Sequence, residues 1–252
     1  MLFRLLVLLC LCAAPLQAET VVAGLSQNRV SITANFDGSE ILIFGAIKRE
    51  APIAKEPIEV IIAIEGPSAP IEVRKKDKRL GIWVNTEKLT IQKAPSFYAV
   101  TSTGPISEAI ADTENLRHHV TIPQSIRMID QVKAVTDTQD FLDALIRIKS
   151  KNGLYQAIDD GVRLTESTLF ETSVKLPANL TEGAYKTRIF LTRDTKVVDV
   201  YETTIDVRKV GLERWIYNLA HDKPLAYGLL SLFIAIAAGW LASAFFRYIR
   251  FS

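Results

Sequence analysis

Cysteine is nearly missing from this chain, which has two, Cys10 and Cys12, both in an apolar run at its start. From residue 19 onward there is none, which excludes disulfides, thiolate metal sites and cysteine nucleophiles from all that follows. Histidine is scarce as well, at three residues. There is no Gly-x-Ser-x-Gly elbow, no phosphate-cradling glycine loop and no zinc-binding helix motif. These absences weaken an enzymatic reading without closing it, since the residues of a triad need not be neighbours in sequence. Nor is one sign of charge in excess. Of 30 Lys and Arg, Arg4, Arg247 and Arg250 sit at the ends, which leaves the middle balanced against 28 Asp and Glu. Nucleic acid needs a basic field that this balance does not supply.

What the chain does have is apolar sequence at both ends. Residues 1–18 run from Arg4 through Leu5–Ala14 to Pro15 and Ala18, the three-part layout of a secretory signal cleaved after Ala18. Leu16, larger than usual at the third position before the cut, leaves an uncleaved anchor as the alternative. Residues 224–246 carry no charge and exceed the ~20 apolar residues a helix needs to cross a bilayer's hydrocarbon core. A cleaved signal sends the middle of the chain across the membrane, and 247–252 then form a short basic cytoplasmic tail. Over 210–223, Leu212, Trp215, Ile216 and Leu219 share a helical face. This predicts either a helix lying on the membrane surface or a continuation of the spanning helix bent at Pro224.

From 19 to 104 β-branched runs predict strands at Val21–Leu25, Arg29–Thr33, Ile41–Ile47, Ile58–Glu65, Ile71–Lys75, Gly81–Asn85, Lys88–Gln92 and Phe97–Thr101. Asp37-Gly38, Gly66-Pro67 and Ala94-Pro95 separate them as turns. The spacing predicts a mainly β protein with an immunoglobulin-like β-sandwich in this region. Over 105–160 the period turns helical, with Ile106, Ala109, Ile110 and Thr113 in a short helix. Thr138–Ser150 forms a better one, with Phe141, Leu142, Leu145, Ile146 and Lys149 on one face. Strands return over 161–209, at Val162–Leu164, Leu169–Leu176, Tyr185–Thr192 and Val197–Val207. They predict a second small β-module, membrane-proximal, that needs the helices to close its core. The stretch Pro177–Tyr185 is similar to the corner of immunoglobulin-like modules in which a tyrosine starts a strand after a glycine turn.

Leu25-Ser26-Gln27-Asn28-Arg29-Val30, Phe36-Asp37-Gly38 and Ile43-Phe44-Gly45-Ala46-Ile47 resemble the opening of an alphaproteobacterial family of transmembrane proteins. The stretch Gly211–Arg247, with Pro224-Leu225-Ala226-Tyr227-Gly228 and Gly239-Trp240, is similar to that family's ending. The resemblance implies a signal peptide, a periplasmic domain and one C-terminal span in the inner membrane, and it brings no catalytic residues with it. It also implies an association with sulfite-exporter-like transporters.

Four groups of residues are candidates for chemistry or contact. His118-His119, with Asp112, Glu114 and Met128 nearby, is the one cluster that suits a metal. Adjacent histidines diverge on a strand or a helix, however, so a surface or half-buried pair is the better expectation. The acidic residues at Asp159-Asp160 and Glu166–Glu171 fall in turn-like sequence and read as solvated charge. The basic run Arg74, Lys75, Lys76, Lys78 and Arg79 suits anionic lipid or an acidic partner, or else is a solvated hairpin tip. In the spanning helix Ser231, Ala235, Gly239 and Ser243 recur every four residues, a small-residue ridge of the kind that lets helices approach closely in lipid.

These features predict a membrane-anchored periplasmic accessory or interaction protein, an auxiliary subunit of an inner-membrane transporter, with no catalytic residue, metal or cofactor assigned. Its expected partners are another inner-membrane protein, or a second copy, through the ridge, and membrane lipid. The alternatives are a periplasmic metal-binding protein or hydrolase centred on His118 and His119, and a homodimeric envelope scaffold.

Overall fold

The computed structural model describes residues 19–33, 36–49, 56–127 and 138–250. The expected signal at 1–18 and Met128 lie outside them. The chain begins with strands β1 (Thr20–Leu25), β2 (Arg29–Ile32), β3 (Gly38–Lys48), β4 (Ile58–Glu65), β5 (Ser68–Arg79), β6 (Ile82–Pro95) and β7 (Tyr98–Ser102). Helices α1 (Ile106–Ala109), α2 (Asp112–His118), α3 (Ile122–Ser125) and α4 (Thr138–Lys151) follow. Strands β8 (Tyr155–Ile158), β9 (Arg163–Thr165), β10 (Leu169–Pro177), β11 (Gly183–Arg193) and β12 (Lys196–Lys209) come next, before α5 (Leu212–Asp222) and α6 (Pro224–Arg250). The fold is mainly β with a C-terminal apolar helix, as the patterning predicts. Strand β8 escapes the patterning because only Tyr155 in it is buried.

Among the described residues three sheets form: β1-β3-β10-β9, β2-β12-β11-β4-β7-β8, and the ribbon β5-β6. All but one of the registered strand pairs are antiparallel. The exception is β7 with β8, joined by a crossover that carries α1 to α4. In the four-stranded sheet one face is buried: Ile41, Ile43 and Ile47 of β3 are covered while Leu42 and Phe44 between them are exposed, the period of two that a half-buried strand requires. Strand β4 is buried from Val60 to Ile64 without a break, because both faces of the six-stranded sheet are covered. One face carries Ile61, Ala63, Tyr98, Val100 and Phe190, packed with Ile91 and Ala94 from the root of the ribbon and with Leu142 and Leu145 of α4. Full burial of one such Ile contributes about 1.5–3 kcal/mol relative to exposure. Alternation turns Ile62, Ile64 and Ile189 to the opposite face, where they too are fully buried.

The expected division into a sandwich at 19–104 and a separate module at 161–209 is not how the sheets are built. Strand β3 pairs with β10, and β4 pairs with β11, so each sheet draws on both regions. The tyrosine corner does form: Tyr185 is fully buried, and its hydroxyl donates to the Thr181 carbonyl at 2.7 Å.

The chain divides into two compact units, one holding 37–207 with the segment through Val30, the other 31–36 with 208–252. In the second, Val210 N–H donates to the Ile32 carbonyl at 2.8 Å. Helices α5 and α6 are separated by Lys223, whose φ of −137° and ψ of 66° are not helical. Pro224 explains the break, since a proline disfavours the helical region for the residue before it and is itself suited to a first turn.

Candidate functional site

The basic run falls on the β5–β6 ribbon. The root of the ribbon is held by Ile71, Val73, Leu89 and Ile91 against the core. Its outer half is exposed all along β5 and, apart from the half-buried Val84 and Thr86, along β6. Residues 80–81 make the turn, with φ of 49° at Leu80 and 85° at Gly81, the doubly positive pair of a type I′ hairpin. Glycine adopts this backbone freely. Leucine pays about 1–2 kcal/mol for it and recovers nothing by packing, because Leu80 is fully exposed. Ile82 and Trp83 beside it are 64% and 68% exposed. Arg79 and Lys78 stand level with Ile82 and Trp83, and Lys76 and Lys75 follow behind, all four cations exposed. Arg74 is drawn to Glu72 at 2.5 Å and Lys88 to the same carboxylate at 3.3 Å. Their hydrogen bonds lower the Glu72 pKa.

The two histidines are carried to different neighbours. His118 ends α2, with its Nε2 3.5 Å from Glu114 and its ring edge-on to Phe190. His119 follows in a left-handed conformation, φ 50°, which swings its ring toward Arg127, 3.2 Å from Nε2. Burial lowers the His119 pKa, and the charges of Arg127, Arg188 and Lys93 lower it further. A positive surrounding of this kind repels a metal cation. Among the described residues no group of three or more His, Cys, Asp or Glu side chains is placed to hold one.

A small polar cleft of about 180 Å³ lies beside His119, lined by Glu65, Lys93, Ser125, Arg127, Lys186 and Arg188. Arg188 is 9% exposed and works inward. Its Nη1 donates to the His118 carbonyl at 2.5 Å and its Nη2 to the His119 carbonyl at 3.1 Å. Tyr98 donates its one proton to the Val120 carbonyl at 2.7 Å and shares it with the His119 carbonyl, 3.1 Å away. Its hydroxyl pKa is pushed above its ordinary value by burial. These groups terminate α2, whose last carbonyls have no helical donors.

The acidic candidates are dispersed. Asp159 and Asp160 are exposed, with Asp159 accepting from Ile106 N–H at 3.2 Å. Glu171 is paired with Arg163 at 3.0 Å on the surface.

At the C-terminus, Pro224–Ala244 of α6 forms a helix long and apolar enough to cross a membrane, and none of it is buried. Ser231, Ala235 and Gly239 are spaced by four along it, and a Cβ added at Gly239 meets nothing within 4 Å. Ser231 turns its hydroxyl back to the Gly228 carbonyl at 2.9 Å, which removes its polar group from the lipid side. Ser243 continues the ridge one turn on. Residues 20–248 match the family described as "Putative transmembrane protein (Alph_Pro_TM)". The chain belongs to the Alph_Pro_TM family.

The match runs from the first residue of β1 into the last turns of α6, so the family takes in both the β region and the apolar helix. No curated protein matches the chain. Among solved structures, the sporulation control protein Spo0M of Bacillus subtilis is similar at 10% identity and a TM-score of 0.27, over 80% of this chain and 53% of that one. The chain thus spans about half the length of Spo0M. At that score the likeness carries no argument.

Two features of this Alph_Pro_TM chain are not visible in strand patterning. One is the apolar tip Leu80, Ile82 and Trp83, which in sequence reads as part of a strand. The other is the outer face of the four-stranded sheet, where Val22, Leu42, Phe44 and Leu169 are each more than two-fifths exposed. Together with Gly24, Gly45 and Ala46 they line a shallow depression of about 720 Å³. The Phe44 ring lies over Gly24, 3.2 Å from where a Cβ would be. That arrangement fills a glycine gap in the sheet.

Proposed function

We propose that the chain is a membrane-anchored accessory or interaction protein, an auxiliary subunit of an inner-membrane transporter, with its β domain in the periplasm and its C-terminus in the cytoplasm. The observation that carries this reading is α6. It is apolar throughout the span, and at Gly239 the surface is open to a neighbouring backbone. Without a hydrophobic drive between helices in lipid, close packing on small residues is a main source of association. The exposed apolar face of the four-stranded sheet supports the same reading, since contiguous apolar surface on a folded domain marks interaction sites. The metal or hydrolase alternative at His118 and His119 draws no support from two imidazoles that face different neighbours.

The test is affinity copurification of the full-length protein from gently solubilised native membranes, beside Gly239→Leu. Leucine at 239 leaves the isolated helix undisturbed and blocks backbone approach. A membrane protein recovered with the wild type and lost with the variant is the expected result. Recovery of a second copy alone, equally sensitive, would favour the homodimeric scaffold. Recovery of the protein alone, unchanged by the substitution, would refute packing through the ridge.

A further inference from the structure

We propose that the tip of the β5–β6 ribbon is a membrane-dipping element. Leu80, Ile82 and Trp83 enter the headgroup boundary of an anionic bilayer, while Lys75, Lys76, Lys78 and Arg79 bind lipid phosphates. This goes beyond the helix-packing reading and needs only that the chain be anchored to a bilayer.

Four observations converge on it. First, the layers are in the right order. Leu80 is at the extreme of the ribbon, Ile82 and Trp83 stand level with Arg79 and Lys78, and Lys76 and Lys75 lie behind. The long stems of Arg79 and Lys78 let their charges reach back to the phosphates while the apolar groups meet the acyl boundary. Tryptophan favours that boundary, and basic residues are drawn to an anionic surface.

Second, the register gives both faces of the ribbon this character. Lys78 is opposite Trp83 and Arg79 opposite Ile82, and directly opposed residues share a face. A groove in a protein would read one face, whereas a bilayer surrounds both.

Third, the charge is graded toward the tip. Glu72 holds Arg74 and Lys88 at the root, and Glu87 is opposite Lys75. Beyond Lys75 only Asp77 opposes Lys76, Lys78 and Arg79.

Fourth, Leu80 occupies a left-handed turn position and is fully exposed. Strain accepted without internal contact points to a role outside the fold.

The ribbon is also braced. Phe141, Ala144 and Ile148 of α4 line one cavity with Val73 through Lys76, so that only the last residues, about 15 Å of strand, stand free. Because the chain carries its own span, the bilayer is present at high effective concentration, and a contact too weak to recruit a soluble protein is still occupied.

The experiment uses the full-length chain with Trp215→Phe and Trp240→Phe, which leaves Trp83 as its one tryptophan. The protein is placed in lipid nanodiscs, whose two faces are both open. The discs are phosphatidylcholine alone or with about 30% phosphatidylglycerol, where charge attraction adds to apolar insertion. With phosphatidylglycerol, Trp83 emission is expected to shift to the blue. Quenching by aqueous iodide should fall by about threefold or more, and lipids brominated on the acyl chain should quench it. Reversing Lys76, Lys78 and Arg79 to Glu should remove the dependence on phosphatidylglycerol. Leu80→Asp should remove the bromolipid quenching, with the far-UV circular dichroism of both variants unchanged. Equal iodide access in the two kinds of disc would overturn the proposal. So would a Trp83 that is shielded in native membranes and open in pure lipid, a result that assigns the tip to a protein instead.

Discussion

Replacing Arg188 by methionine tests whether the cleft beside His119 is structural. Methionine keeps an apolar stem of similar length but not the guanidinium, whose carbon lies over the Phe190 ring at 5.3 Å from its centroid. What is lost is the fork that donates to the carbonyls of His118 and His119 at 2.5 and 3.1 Å and stands 3.8 Å from the Glu65 carboxylate. A hydrogen bond from a charged donor contributes about 1.5–3 kcal/mol. Against two such bonds stands the desolvation of a guanidinium that is 9% exposed, which the variant no longer incurs. The net expectation is a loss of about 3 kcal/mol, or a Tm lower by about 6–12 °C for a domain of this size. Arg188→Lys should lose about half of that, because a point ammonium cannot bridge both carbonyls as a planar fork does. Tyr98→Phe should lose about 1 kcal/mol. Since Tyr98 and Arg188 share the His119 carbonyl, the double variant should depart from the sum of the singles by about 0.5 kcal/mol or more. Urea unfolding of the full-length protein in mild micelles, followed by circular dichroism, measures all four. An Arg188→Met variant within about 0.5 kcal/mol of wild type, or a cycle that closes additively, would refute the assignment.

Other expectations follow from single contacts. Glu19 is largely buried and bridges Arg49 at 2.8 Å and Arg193 at 2.6 Å. Burial alone would raise its pKa, but the hydrogen bonds and charges of Arg193 and Arg49 outweigh that and hold it below its ordinary value of 4.5. Its stabilisation is therefore full above about pH 4.5 and lost as pH falls through the lowered folded value. Glu19→Gln should cost about 1–2 kcal/mol at pH 6 and flatten the acid limb of a stability–pH curve, and a parallel limb would contradict this. A Cβ at Gly45 would lie 2.4 Å from the Phe170 ring and 2.7 Å from the Val22 carbonyl. Gly45→Ala should thus lose about 1–3 kcal/mol by overpacking, visible in the same urea assay, while Gly239→Leu leaves the midpoint in place. Tyr185→Phe deletes the bond to Thr181 and should cost about 1 kcal/mol.

Strand positions were legible because they are local. Runs such as Ile58–Glu65 carry their own β-branched signature and appear in the fold with the same bounds. Pairing was not legible, since β3 meets β10 and β4 meets β11 across more than a hundred residues and alternation says only that a face is covered, not by what. The ribbon shows a second limit. Gly81–Asn85 and Lys88–Gln92 read as two strands because the polar stretch between them breaks the pattern. They are one strand, β6, with an irregularity opposite Lys75 and Lys76, and past its root no core imposes a period. The basic run was visible as composition. The apolar tip was not, because an exposed Leu-Gly-Ile-Trp and a buried one are spelled alike. The histidine pair was legible as a doublet, but its outcome hung on a left-handed His119 and on Arg188, some seventy residues away.

The interleaved sheets also set a timetable. A chain made from its N-terminus presents β3 and β4 early, yet their partners β10 and β11 arrive only after Lys151. At about 5–20 residues per second that interval is on the order of ten seconds, during which unpaired strand edges are open to wrong neighbours. The last strand, β12, ends at Lys209, and α6 begins at Pro224. Completion of the sheets and entry of the anchor into the bilayer therefore fall almost together, so this β region is finished at the membrane and not ahead of it.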